Sequence, residues 1–236
     1  MFSVFRAIEE FGLRRQERRL EKRAEKKRRE ALPHVFGASL SVLEELFSPS
    51  SDSLRTEDRP GAYPRVEYLG NIGFNAVLLT QNIEINQFPL YLKVIEESRK
   101  EVTFHHYQKD DLHTFVFHDD EFGGRNMRLL TNDVELVKNL TRLGFHPPPP
   151  WIVLYELGPY RPASQGNPEY WACYVWDPFW QSLSLEEQDK LIEEWRPRTR
   201  AYISDEDWEE GWVYGMRIRD PRFRAREEGE GHNDSA

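Results

Sequence analysis

The stretch VTFHHYQKDDLHTFVFHDDEFGGRNMRLLT, residues 102–131, decides the fold of this chain. Its apolar residues form short runs that are rich in β-branched and aromatic side chains. Turn-forming residues separate these runs, as is typical of β-strands. Runs of the same kind begin at Arg65, so we predict a meander of antiparallel strands. The runs assigned to strands are VEYLGN, FNAVLLT, PLYLKVIE, EVTFHHY, LHTFVFHD and MRLLT.

One hairpin of this meander has a register that the side-chain pattern predicts. A loop over residues 108–111 joins its two strands, and the apolar side chains of both strands then share one face of a half-buried sheet. The predicted cross-strand pairs are Val102 with Phe117, Phe104 with Phe115 and His106 with His113.

The same register decides how the histidines are interpreted. His106 and His113 become neighbours on one face, whereas His105 points to the other face of the sheet. A structural or catalytic zinc site requires three or four converging ligands. We therefore expect no metal and no cofactor. A metal-assisted hydrolytic enzyme, using His106, His113 and a carboxylate from elsewhere in the fold, stays as an alternative.

Helix signals surround the meander. The predicted capping pairs are Ser41 with Glu44, Asn132 with Glu135, and Ser184 with Glu187. Each pair has the spacing at which a side chain caps the first turn of a helix. Residues 151–157 and 170–176 are assigned to two further strands. The expected fold class is therefore α+β: an antiparallel sheet of six to eight strands with helices packed on one side, preceded by a basic N-terminal helix.

Charge and composition divide the chain into regions. Residues 1–30 contain 11 of the 32 basic and 6 of the 41 acidic residues, a net charge of +5, so the remainder carries −14. The Ser-, Asp-, Pro- and Gly-rich stretch from 48 to 64 predicts a linker. The expected organisation is a basic helical arm (1–34), a short helix and linker (35–64), an α+β domain (65–222) and a disordered tail (223–236).

The sequence lacks the motifs of several enzyme classes. It lacks a P-loop, a dinucleotide-binding fingerprint, a paired-cysteine zinc motif and a nucleophile elbow, which makes a non-enzymatic function the stronger expectation. Its single cysteine, Cys173, is expected to be a small buried hydrophobe, and one cysteine cannot form an internal disulfide. A cytoplasmic protein without a transmembrane segment is the expected setting.

Aromatic and acidic residues are concentrated in the last third of the chain. Nine aromatic residues fall between Trp151 and Trp180, and five acids fall between Asp205 and Glu210. Exposed tryptophans beside acids are effective anchors for a protein partner. The alternative is that most of these rings belong to the core. The predicted partner-binding patch is Trp176, Asp177, Trp180, Asp205, Asp207, Trp208 and Glu209.

These patterns leave three hypotheses about function. The leading one is a non-enzymatic protein that presents an acidic, aromatic-rich surface to a basic protein partner, as a bacterial immunity protein does to a toxin. The second is the metal-assisted hydrolytic enzyme described above. The third is an adaptor that the basic segment from Arg14 to Arg29 tethers to nucleic acid or to an anionic membrane.

Overall fold

A computed structural model describes residues 2–49, 63–160 and 165–226, with side chains from Arg19 onward. The predicted linker and tail lie largely outside these ranges. Within them, one six-stranded sheet has the order β1-β2-β6-β5-β4-β3, and every pair of neighbouring strands is antiparallel. The strands are β1 (Arg65–Tyr68), β2 (Val77–Glu84), β3 (Lys100–Thr103), β4 (His106–Lys109), β5 (Leu112–Glu121) and β6 (Gly124–Thr131).

The run PLYLKVIE is not a strand but most of a helix, α3 (Phe88–Glu96). Pro89 suits the first turn of a helix because it needs no amide donor there. Tyr91 and Ile95 are the buried residues, and their spacing of four places them on one helical face. The strand prediction was wrong because most residues of the run are apolar, so the helical spacing of Tyr91 and Ile95 does not stand out in the sequence.

The predicted hairpin register is wrong by two residues. His106 pairs with Phe115, and His113 pairs with Gln108. The loop shortens because Asp110 adopts a positive φ of 52°, which allows a tighter turn. His105 also has a positive φ, of 58°, so the run EVTFHHY breaks there into β3 and β4. A shift of two preserves the side-chain faces, and His106 and His113 therefore still share one.

Two helices cover one face of the sheet. These are α3 and a second helix, α4 (Val134–Arg142). Leu79 and Leu129 of the central strands are fully buried against this layer, together with Tyr91 and Leu136 of the helices. Helix α4 is amphipathic, and burial of its apolar stripe against the sheet is the main source of its stability.

The other face of the sheet is covered in part by the N-terminal helices. These are α1 (Phe2–Phe36), which is longer than the predicted arm, and α2 (Leu40–Leu46). Leu32 and Phe36 of α1 pack with Leu43 of α2 against Phe115 and Leu130 of the sheet. The end of α1 is thus anchored in a core rather than projecting into solvent.

The arginines at this end of α1 are bound to the body of the protein. Arg28 contacts Glu67, and Arg29 contacts Glu44 and the carbonyl oxygen of Ile72. Side chains from Arg19 to Ala24 are exposed. None of the helices in the described ranges combines the length and the apolar character needed to cross a bilayer.

Two of the three predicted helix caps differ by one or two residues. Ser39, not Ser41, caps α2 by accepting a hydrogen bond from the amide of Val42. Asp133, not Asn132, caps α4, because the Asn132 side chain is used to hold the β5 end by accepting a hydrogen bond from His113 N at 2.7 Å. The capping box of Ser184 and Glu187 is confirmed.

Residues 150–160 and 165–226 form a helical unit instead of the two predicted strands. Its elements are α5 (Pro150–Val153), α6 (Gly166–Trp171), a π-helix (Ala172–Trp176), α7 (Asp177–Ser182), α8 (Leu185–Thr199), a second π-helix (Asp207–Val213) and α9 (Tyr214–Arg217). Trp171, Trp176 and Trp180 are spaced by five and four residues. A π-turn followed by an α-turn puts all three on one side of a helix, and this spacing was mistaken for a strand enriched in aromatic residues.

Candidate binding site

The tryptophans of this chain all lie in the core of the helical unit. Their relative exposure is between 1% and 7%. The seven residues are Trp151, Trp171, Trp176, Trp180, Trp195, Trp208 and Trp212. The expectation that Trp176, Trp180 and Trp208 are exposed anchors was therefore wrong, and the core alternative holds. An indole has a large apolar area, so a tryptophan in the core is more stable than one left exposed at the surface.

The tryptophans are arranged as a stacked ladder along the first π-helix. The ring of Trp176 stacks on Trp171 and on Trp180, in each case with 5.7 Å between ring centroids. Trp151 packs on Trp208 from the second π-helix at 4.5 Å. π-turns are frequent at functional sites. Here the π-turn brings the rings of successive tryptophans into contact.

A cavity of about 310 Å³ lies against this ladder. This volume is at the lower end of the range for ligand pockets. Trp171 and Trp176 form one wall, and Trp212 and Met216 form another. The lining is mostly apolar, so the cavity is suited to an apolar group.

Two glycines, four residues apart, open the cavity from the side of the second π-helix. A Cβ at Gly211 would lie 2.3 Å from Cβ of Pro159, so Gly211 is required for close packing there. A Cβ at Gly215 would meet nothing within 4 Å. The two glycines therefore play different parts: Gly211 permits a contact, and Gly215 leaves space.

Four indole N–H groups near the cavity have no hydrogen-bond acceptor. They belong to Trp151, Trp171, Trp176 and Trp180, and all four nitrogens are buried. A buried donor without a partner costs about 1–3 kcal/mol, and most buried donors are paired. All four nitrogens are covered by protein atoms, so these donors are not open to the cavity.

One rim of the cavity is acidic. Tyr160 lines the cavity, and partial desolvation together with the nearby carboxylates of Asp207 and Glu206 raises the pKa of its phenol. Among the residues that the structure describes, no lysine or arginine lies within 4.0 Å of the carboxylates of Glu206, Asp207, Glu209 or Glu210. Asp205 differs, because Arg196 forms an ion pair with it and lowers its pKa.

The opposite rim carries an ion pair and the cysteine. Arg219 lines the cavity and donates two hydrogen bonds to Asp177, at 2.9 and 2.5 Å. This ion pair neutralises the charge of Asp177, so Asp177 does not offer a free carboxylate to a basic partner as predicted. Cys173 is exposed, contrary to the prediction, with its Sγ 3.9 Å from Arg219 Nη2. The helix that replaces the predicted strand turns Cys173 away from the tryptophan core.

The predicted patch is only partly assembled at this cavity. Trp176 forms its wall and Asp207 lies at its rim, but Trp180 and Trp208 lie behind the wall. Asp205 and Glu209 are exposed nearby on the chain. The sequence-based prediction missed Tyr160 and the two glycines. The spacing of Gly211 and Gly215 around Trp212 is a signal for an open helical face, but only once the segment is known to be helical.

The histidine pair forms a separate, partly buried contact. His106 Nε2 lies 3.2 Å from His113 Nδ1, and His106 stacks on Phe115 with 4.0 Å between centroids. Burial, and then the neighbouring His113, lower the pKa of His106 to about 4. Burial also lowers the pKa of His113. Within the described ranges, no three His, Cys, Asp or Glu side chains are grouped to hold a metal ion.

The chain matches no protein-family model, no curated protein and no solved structure.

Proposed function

We propose that this chain is a non-enzymatic binding protein whose tryptophan-walled cavity receives an apolar side chain from a basic protein partner. The observation that carries the proposal is the cavity of about 310 Å³ that opens beside carboxylates with no described cationic neighbour. The cavity takes the place of the exposed aromatic-rich surface that the sequence pattern predicted, while the basic character of the partner is retained.

The apolar part of the site supplies binding energy. Full burial of a leucine or phenylalanine side chain contributes roughly 1.5–3 kcal/mol. The wall is formed by stacked rings that are already packed, so little ordering is needed when the side chain enters. An anchor residue in a pocket with a polar rim is the usual organisation of an interaction hot spot.

The acidic part of the site supplies specificity and speed of association. The net charge of −14 outside residues 1–30 produces a long-range field that attracts a basic protein. Glu206, Asp207 and Glu210 are grouped around Tyr160, so these acids add to that field beside the cavity. Toxin neutralisation by a bacterial immunity protein in the cytoplasm is one function of this physical kind.

Selection of peptides from a random display library by the full-length protein tests the proposal. We expect enriched sequences in which lysines or arginines flank a leucine, phenylalanine or tryptophan. Affinity for such a peptide should fall as salt concentration rises, because exposed charges are screened. Replacing two rim acids together, Glu206→Gln with Asp207→Asn, should weaken binding by about ten-fold.

Gly215 provides a matched pair of variants for the same peptide. Gly215→Leu places a side chain in the cavity and should abolish binding, whereas Gly215→Ala should bind like the unchanged protein. An acidic or uncharged consensus, or equal binding by the leucine and alanine variants, would contradict the proposal.

A further inference from the structure

A second cavity, of about 300 Å³, lies between the sheet and the helical unit. Its floor is the sheet face that α1 and α2 leave uncovered. Thr80 pairs with Arg65 on one side and Arg128 on the other, and Asn82 pairs with Asn126 two residues further along. Side chains directly opposite each other point to the same face. The floor is therefore polar where the rest of this face, near Leu130, is apolar.

The amide of Asn82 is buried without full use of its hydrogen-bonding groups. Its side chain lines the cavity, and the residue is 4% exposed. Its Nδ2 donates to the carbonyl oxygen of Glu121 at 3.4 Å, but its Oδ1 accepts no hydrogen bond. An unsatisfied buried acceptor is costly. Oδ1 is nevertheless closed to a ligand, because it packs against Gly124, where a Cβ would lie 2.7 Å from it. Asn82 thus contributes polar lining and no free acceptor.

Two guanidinium groups line the cavity, together with the carboxylate of Glu121, which interacts electrostatically with Arg128. Arg65 Nη2 lies 3.8 Å from Glu67, whose carboxylate is already in contact with Arg28. Arg128 Nη2 lies 3.9 Å from Asp119. By contrast, Arg219 Nη2 lies 2.5 Å from Asp177 Oδ2. The fork of donors on Arg65 and Arg128 is thus available for a phosphate group.

The opposite side of the cavity carries two exposed tyrosines. Tyr170 and Tyr174 line it, with 5.0 Å between their ring centroids and relative exposures of 50% and 69%. Aromatic rings at the edge of a polar cavity provide a surface on which a nucleobase stacks. Neither tyrosine belongs to the core of the helical unit, which the tryptophans form.

We propose that this cavity binds a mononucleotide. Arg65 and Arg128 hold the phosphate, and Tyr170 and Tyr174 stack on the base. The site is separate from the tryptophan-walled cavity, so it does not depend on the basic protein partner.

Calorimetric titration of the full-length protein with AMP, GMP, CMP and UMP tests this assignment. We expect at least one of them to bind, and to bind about ten-fold more tightly than either its nucleoside or inorganic phosphate, because both halves of the ligand are held. Tyr174→Ala should weaken binding by about ten-fold through lost stacking. Arg128→Gln should weaken it by a similar factor through lost phosphate contacts.

Tyr155→Ala is the matched control, because Tyr155 is also exposed but contacts Tyr202 and does not line this cavity. It should leave nucleotide affinity unchanged. Tyr174 is an exposed residue, so its replacement remains informative even if Arg128→Gln disturbs folding. The assignment is overturned if no mononucleotide binds at millimolar concentration, if inorganic phosphate binds as tightly as the nucleotides, or if Tyr174→Ala binds as the control does.

Discussion

Asp133 joins two elements through a single buried carboxylate. Its Oδ1 accepts the amide of Leu136 at 3.0 Å and caps α4, while its Oδ2 accepts from Arg99 Nη2 at 2.5 Å. Arg99 also donates to the carbonyl oxygen of Glu97, just beyond the end of α3. The two side chains are 3% and 8% exposed, so neither charge has water as an alternative partner.

Asp133→Ala should therefore lower the free energy of unfolding by about 3–5 kcal/mol, since it leaves Arg99 buried and unpaired and removes a helix cap. Urea denaturation measures the change. Glu135→Ala is the control, because its ion pair with Lys138 lies on the surface and should be worth less than about 0.5 kcal/mol. Equal losses in the two variants would contradict this role for Asp133.

The buried His106 should make stability depend on pH. Its folded pKa of about 4 lies below the usual value of 6.5, so the unfolded chain takes up a proton first as pH falls. The free energy of unfolding should thus decrease from pH 7 to pH 4.5, with about 2 kcal/mol of that decrease due to His106. His106→Phe keeps the stacking on Phe115 and should decrease less over this range. Parallel pH profiles for the two proteins would show that His106 does not contribute.

The position of the two histidines shows what can be predicted residue by residue. Their shared face follows from the alternation of side chains along each strand, and it survived a register error of two. Their contact at 3.2 Å is diagonal and not directly cross-strand as predicted, because the tight turn at Asp110 shifts the register. A positive φ at an aspartate has no strong signal in a single sequence.

Among the elements, the second π-helix and α9 carry a direct test of the cavity. Gly211→Ala should destabilise the protein by about 1–3 kcal/mol, because the added Cβ would overlap Pro159. Gly215→Ala should stabilise it by about 0.5–1 kcal/mol, because alanine is the better helix former and its Cβ meets open space. Thermal denaturation gives both values. Changes of the same sign would mean that the cavity is not open at Gly215.

The sheet was predictable from sequence, whereas the helical unit was not. Strands β5 and β6 alternate or end at clear turn residues, and they pair with each other across a short turn. The pairing of β2 with β6 joins distant parts of the chain, and no local pattern indicates it. In the helical unit, tryptophans spaced five and four residues apart fit neither the α-helical nor the strand period. Aromatic enrichment then favoured strands, which placed Trp176, Trp180 and Trp208 on a surface instead of in a core.

At the scale of the whole molecule, the charges are kept apart. The arginines at the described end of α1 contact Glu67 and Glu44, which belong to β1 and α2. None of the described side chains of α1 forms an ion pair with the acidic rim near Tyr160. The split in net charge between residues 1–30 and the rest was visible in the sequence, but only the fold shows that the acidic rim adjoins a cavity.

The indole region of a ¹⁵N–¹H correlation spectrum tests the central claim most directly, since each of the seven tryptophans gives one signal. On addition of a selected basic peptide, the signals of Trp171, Trp176 and Trp212, which line the cavity, should shift. Those of Trp180 and Trp195, which do not line it, should stay in place. Unchanged cavity signals at saturating peptide, or shifts confined to Trp180 and Trp195, would show that the partner binds elsewhere.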